Sequence, residues 1–160
     1  MFLYSIIPSY IYYHIVEYLL HSLGHNSKYG FYIYKYHKKH HKIHYPVNKL
    51  LDYKPYKTDY KFNLFSDGLV AYSLPILFLG LVNYKVLDYE SFLNLSINFS
   101  IYTYLSDYLH TEIHTKDSWL EKYEWFMKKR KIHFLHHKNV KKNKNVLNLE
   151  IDKYMNTYLE

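Results

Sequence analysis

The sequence predicts an all-α protein: an integral-membrane helical bundle of about three apolar helices, with a cytosolic, histidine-rich helical cap. Three observations predict it. Segments 2–20, 69–84 and 92–109 are strongly apolar and near the length of about 20 residues that crosses a bilayer. The basic residues avoid these segments. Ten of the 12 histidines fall in four short boxes at helical spacing. At 160 residues, one domain over 1–160 is expected.

The charge pattern gives the topology. Residues 1–27 hold no lysine or arginine. Nine lysines lie between Lys28 and Lys61, Lys85 stands alone, and eleven basic residues fall between Lys116 and Lys153. Placing 22–65 and 111–160 on one side puts twenty of the 21 basic residues together, the positive-inside arrangement of a cytosolic face. The 22 tyrosines suit the membrane–water interface. The competing reading is a helical protein without spans that carries a basic face. Segment 2–20 has no basic leader and no small-residue cleavage end, so it does not read as a signal peptide.

Element by element, a helix from about 3 to 25 ends near Gly24 or Asn26. A helical stretch covers about 31–44 and stops at Pro46. Pro55 marks an extended or turn segment. Ser66-Asp67-Gly68 signals a turn and N-cap before the second apolar helix, which Pro75 bends mildly. Asn83 to Glu90 closes a helical hairpin onto the third. A further helix over about 117–137 is capped by Asp117 or Ser118. The tract at 141–145 is a loop, and the tail is short and amphipathic.

With no cysteine, thiolate zinc sites, thiol catalysis, iron–sulfur clusters and disulfides are excluded. The donors left are imidazoles. His21 and His25 form H-x-x-x-H, as do His110 and His114. His37, His40 and His41 form H-x-x-H-H, as do His133, His136 and His137. On a helix, residues i and i+4 share a face about 6 Å apart along the axis and grip one ion. Position i+3 joins the same face, so a triple box offers two ligands on one face and a third, slightly rotated, that can reach a second ion nearby. Ten donors exceed what one ion uses, so two ions about 3.5–4 Å apart or somewhat further are expected. Imidazole suits iron, zinc, copper and nickel.

Four further residues are candidates for extra ligation or for orienting ligands. His14 lies seven residues before His21, in an apolar helix where an ionisable group suggests function. His44 extends the second box. Glu17 and Asp107, just upstream of His21 and His110, are placed to accept an imidazole N–H.

These boxes resemble the membrane fatty acid hydroxylase and sterol desaturase superfamily, and the pattern is nearest to fatty-acid 2-hydroxylases. EYLLHSLGH (17–25), HKKHHKIHYP (37–46), SDYLHTEIH (106–114) and RKIHFLHH (130–137) are similar to its successive boxes. In the tail, Asp152 and Thr157 hold the places of a closing Asp and Thr, with Ile151 where the family has Trp. Ser106 stands where 2-hydroxylases have Tyr, and the first box has three intervening residues rather than four. The chain also starts too late for a further apolar helix that members usually carry.

The resemblance implies two iron ions (zinc as isolated) on the cytosolic face of an endoplasmic-reticulum-type membrane, or of a host membrane if the chain is viral. It implies O2-dependent hydroxylation or desaturation of a fatty acyl chain or sterol in lipid biosynthesis, with electrons from a b-type cytochrome and its reductase. The alternative is a shortened, non-catalytic metal-binding membrane protein of the same family. A nucleic-acid-binding role is not expected: arginine is nearly absent and no recognition motif appears. A zinc hydrolase is not expected either, because H-E-x-x-H is absent.

Overall fold

The computed structural model describes residues 2–53, 67–148 and 150–160. The described residues are helical, with no strand beyond an isolated bridge between Asp52 and Thr115. In order they form α1 (Phe2–Gly24), α2 (Phe31–Lys39), a π-helical turn (His40–His44), α3 (Asp67–Val86), α4 (Tyr89–His114), a 3-10 turn (Trp119–Lys122), α5 (Glu124–Lys138) and α6 (Glu150–Tyr154).

The three apolar segments are therefore helices, and α1 ends at Gly24. Among the described residues, no helix is long and apolar enough to cross a membrane. In α1 and α4 the apolar runs are interrupted by tyrosines and by His14, Glu17, Asn94, Asn98 and Asp107. The expected N-cap residue Ser66 and the turn residue Pro55 lie outside the described residues. Asp88 begins α4, its side chain accepting from the Ser91 amide at 2.9 Å.

The stretch 31–44 is helical as expected, with α2 running on into a π turn at His40–His44, and the chain leaves through Tyr45 and Pro46. A π turn shifts side chains around the axis and is frequent at functional sites. The helix expected over 117–137 is split. Ser118 caps a 3-10 turn through a capping box with Glu121, and α5 starts only at Glu124.

Helices α1 and α4 form the longest packed pair, and α2 and α5 close one end of it. The α1–α4 seam is partly polar. Asn98 donates to Ser9 at 3.5 Å, both buried. Near the box end, a small apolar core of Leu109, Ile113, Leu120, Phe126 and Val146 ties α4 to α5.

Arg130, the buried basic residue ahead of the last box, locks this junction. It donates to Glu121 Oε1 at 2.6 Å and to the carbonyls of Glu112 (3.1 Å) and Thr115 (2.9 Å), over the Phe126 ring. It thus caps the C-terminal carbonyls of α4 beside His114. Arg130→Met keeps the apolar stem and orphans those acceptors. It is expected to cost about 3 kcal/mol, read as a lower midpoint in chemical denaturation. A change within 0.5 kcal/mol, about the scatter of a surface substitution, contradicts this role.

Candidate metal centre

The boxes converge from four elements: α1, α2 with its π turn, α4 and α5. Their nitrogens fall into two clusters. One holds His21, His25, His37, His41 and His136. The other holds His40, His114, His133 and His137. Within each cluster all donor nitrogens lie within 4.8 Å of one another.

Each triple box divides between the two clusters. His37 and His41, at i and i+4, enter the first cluster, and the intervening His40 enters the second. His133 and His137 enter the second, and His136 enters the first. The i,i+4 pair shares a face while the i+3 residue turns toward the neighbouring site. The first site is thus built from a short box, an i,i+4 pair and one histidine borrowed from the other triple box; the second has the same kind of pair and borrowed histidine but only His114 of its short box. His110 is the other member of that short box. It is not among the four converged nitrogens, but its ring packs 4.7 Å from His40, 4.8 Å from His133 and 5.1 Å from His114.

The first cluster has the shape of a coordination shell. His37 and His136 stand at opposite poles, ring centroids 6.3 Å apart. The rings of His21, His25 and His41 pack between them, each 4.4–4.9 Å from both poles. Nε2 of His136 lies 3.0, 3.1 and 3.2 Å from Nε2 of His21, His25 and His41. Nε2 of His37 lies 2.9 and 3.1 Å from that of His25 and His41. An ion bonded at about 2.1 Å places right-angled neighbours about 3.0 Å apart and tetrahedral neighbours about 3.4 Å apart. The observed edges match right angles and more than four ligands.

Hydrogen bonding on the outer side sets the tautomers. Nδ1 of His136 donates to the Lys142 carbonyl at 2.7 Å, that of His114 to Leu50 at 2.8 Å, and that of His137 to Tyr45 at 3.0 Å. Each of these rings therefore turns an Nε2 lone pair inward. Three imidazoles crowd the single lone pair of His136, which accepts only one N–H. Nε2 of His137 is buried with no hydrogen-bond partner. A cation at each focus satisfies these nitrogens together, so the residues present fit a metal ion at each cluster.

Burial and mutual repulsion keep the rings neutral, the form that binds metal. Burial comes first in every case. His21, His37, His40 and His133 are held well below the usual imidazole value, and His41 is likewise lowered. His25 is lowered to about 3, His114 and His136 to about 4, and His137 to about 2. Unfolded imidazoles titrate near 6.5, so below that pH the unfolded chain binds more protons than the folded one. Stability therefore rises with pH through this window and falls on acidification. Metal retained after desalting should be constant above about pH 6.5 and decline steadily toward about pH 4. Full retention at pH 4 contradicts a site of neutral imidazoles.

Of the four additional candidates, none joins a cluster. Glu17 was expected to accept from a liganding imidazole. It accepts instead from His14 Nδ1 (3.2 Å), Ser106 (2.5 Å) and Asn145 (2.9 Å). One helical turn separates it from His21, but its carboxylate points along the α1–α4 seam toward those donors. His14 is buried between Tyr10 and Tyr13, with Nε2 unpartnered. His44 ends the π turn half-buried, and Asp107 is exposed on α4.

Several contributors were not singled out by their sequence. Tyr45 stacks on His114 at 3.9 Å while its carbonyl holds His137. The carbonyls of Leu50 and Lys142 carry no side-chain signal at all. Gly24 reads as a helix stop, yet a Cβ there would lie 3.0 Å from His37 Cγ, so its bareness also makes room for that ring. Asp152 and Thr157 do meet: the fully buried Asp152 carboxylate accepts from the Lys144 amide (2.8 Å), the Asn145 amide (2.9 Å) and Thr157 Oγ1 (2.8 Å).

The described residues form a helical fold with two adjacent, largely buried clusters of histidine nitrogens, each able to hold a metal ion. No family model, no curated protein and no solved structure matches the chain.

Proposed function

We propose that this protein is a membrane-bound, di-iron, O2-dependent oxidoreductase that hydroxylates or desaturates a fatty acyl chain or sterol. The observation that carries this reading is the crosswise division of the triple boxes into two buried all-imidazole clusters. It supports the likeness of the boxes to the membrane fatty acid hydroxylase superfamily.

All nine converged donors are neutral, so each ion keeps its full charge, and no carboxylate is among them. Iron held this way would supply the chemistry for reducing O2 and oxidising an unactivated C–H bond. The chain itself orients the imidazoles through the carbonyls of Tyr45, Leu50 and Lys142, and buries them away from bulk water. Four electrons reduce O2 to the water level. Two come from the C–H substrate and two from outside. The sequence carries no haem or flavin motif, so a b-type cytochrome with its reductase is the proposed donor. The lysine-rich segments around the boxes suit an acidic carrier.

An exposed apolar belt favours the membrane setting. Ile7, Ile11, Ile15 and Leu19 run along one exposed stripe of α1. Leu93, Ile97, Ile101 and Leu105 do so on α4, and Leu77, Phe78, Leu81 and Val82 are exposed on α3. Exposed apolar stripes of this kind mark a lipid or protein contact. No lysine or arginine precedes Lys28, and Lys85 alone lies between Lys61 and Lys116, which favours lipid.

The test is expression in a lipid-producing host with untargeted lipidomics. A lipid gaining one oxygen or losing two hydrogens, dependent on His40 and His137, is the expected result. Iron-loaded protein that turns over no lipid under O2 and reductant favours the non-catalytic alternative.

A further inference from the structure

A cleft of about 550 Å³ opens beside the π turn, lined by His41, Lys42, Pro46, Val47, Asn48, His137 and Val140. Its wall includes one donor from each cluster, and these two rings stack at 4.1 Å. The cleft thus reaches the boundary between the two sites, with Lys42 on its wall.

The two rings are held differently. His137 is anchored by its outer nitrogen to the Tyr45 carbonyl. The outer nitrogen of His41, Nδ1, is buried and has no hydrogen-bond partner. Only its inward Nε2 is engaged, with His37 and His136. His41 also sits on the π turn, where the backbone ladder is locally loosened. Rotation of this side chain into the cleft breaks ligand contacts without breaking an outer anchor.

We propose that this cleft is the port through which metal ions enter and leave the two clusters, with His41 as the ligand that swings aside to pass them. The inference rests on the two-metal reading above. Lys42 at the wall places a positive charge on the route, which disfavours bare cations and favours anionic metal complexes and anionic chelators. Small carboxylate-type complexes of the metal are therefore the class of donor the port accepts.

The experiment measures iron release from the full iron-loaded chain in lipid nanodiscs, using excess ferrozine, a sulfonated anionic chelator of Fe(II). Metal content is measured first. Val140→Trp fills the cleft without touching a ligand, and is expected to slow release at least tenfold with iron content unchanged. Lys42→Glu, a surface change that keeps the fold, is expected to slow release several-fold at low ionic strength and not at high salt. Wild-type release rates in Lys42→Glu at low salt, with normal iron content, overturn the port whatever Val140→Trp does. An unaltered chain that holds no metal after loading overturns the two-metal reading itself. Content therefore reports on the sites, and rate on the port.

Discussion

Replacing His136 with alanine is expected to remove one metal ion per chain, and replacing its neighbour His137 to remove the other. The two residues are adjacent in sequence and belong to different clusters. His136 is a pole of the first shell, with Nε2 within 3.2 Å of three other donors. Its loss opens that shell while His40, His114, His133 and His137 stay in place. His137→Ala leaves the first shell with all five of its donors. Losing a residue that merely orients a ligand costs 10–100-fold in metal affinity, and losing a ligand costs more. Both variants are expected to bind one equivalent of metal where the parent binds two. A cobalt-substituted sample should show different residual spectra for the two, because a four-donor and a five-donor shell remain, respectively. His40→Ala and His41→Ala should repeat the contrast with the order reversed. Equal spectra for the two neighbours, or loss of both ions in each, would falsify the crosswise assignment. Lipid oxidation should vanish in all four variants, so metal counting rather than activity separates them.

How much of this was legible beforehand depends on the kind of information each feature uses. The boxes were legible because metal ligation demands particular side chains at helical spacing, and that spacing already let a third ligand of each triple box reach a second ion; which histidine crosses over was not legible. The helices around Phe2–Gly24, Asp67–Val86 and Tyr89–His114 were legible from apolar length. The π turn at His40–His44 was not, because HHKIH carries no local preference for it. It ends at Tyr45, whose ring stacks on His114. Nor was the orientation of the rings legible, since it rests on backbone carbonyls from Tyr45, Leu50 and Lys142, which any residue supplies. Glu17 illustrates the limit of proximity in sequence. It lies one turn from His21, yet its carboxylate takes other donors, from Tyr13 and His14 on its own helix, Ser106 on α4 and Asn145 in the loop.

Asp152→Ala is expected to have the second large effect, and to reach the metal without touching it. The carboxylate is fully buried and accepts from the amides of Lys144 and Asn145 and from Thr157 Oγ1. Asn145 in turn donates to Glu17 and to the His14 carbonyl, so the loop is pinned to α1. The same loop presents the Lys142 carbonyl that orients His136. Removing the carboxylate orphans three donors, each worth about 1–3 kcal/mol when buried, so a loss on the order of 3 kcal/mol in stability is expected. In a chain of this size that lowers the thermal midpoint by roughly 10 °C. With His136 no longer fixed by its outer bond, affinity at the first cluster should drop 10–100-fold, the usual consequence of losing a ligand's hydrogen-bond partner. The second cluster, anchored through Tyr45 and Leu50, should keep its ion. Thr157→Val removes one of the three bonds and leaves both amides satisfied, so about 1 kcal/mol and little change in metal binding are expected. A general destabilisation would weaken both ions together. Selective loss of the His136 ion from folded Asp152→Ala, seen by stepwise metal titration well below the melting temperature, separates the orienting role from simple unfolding.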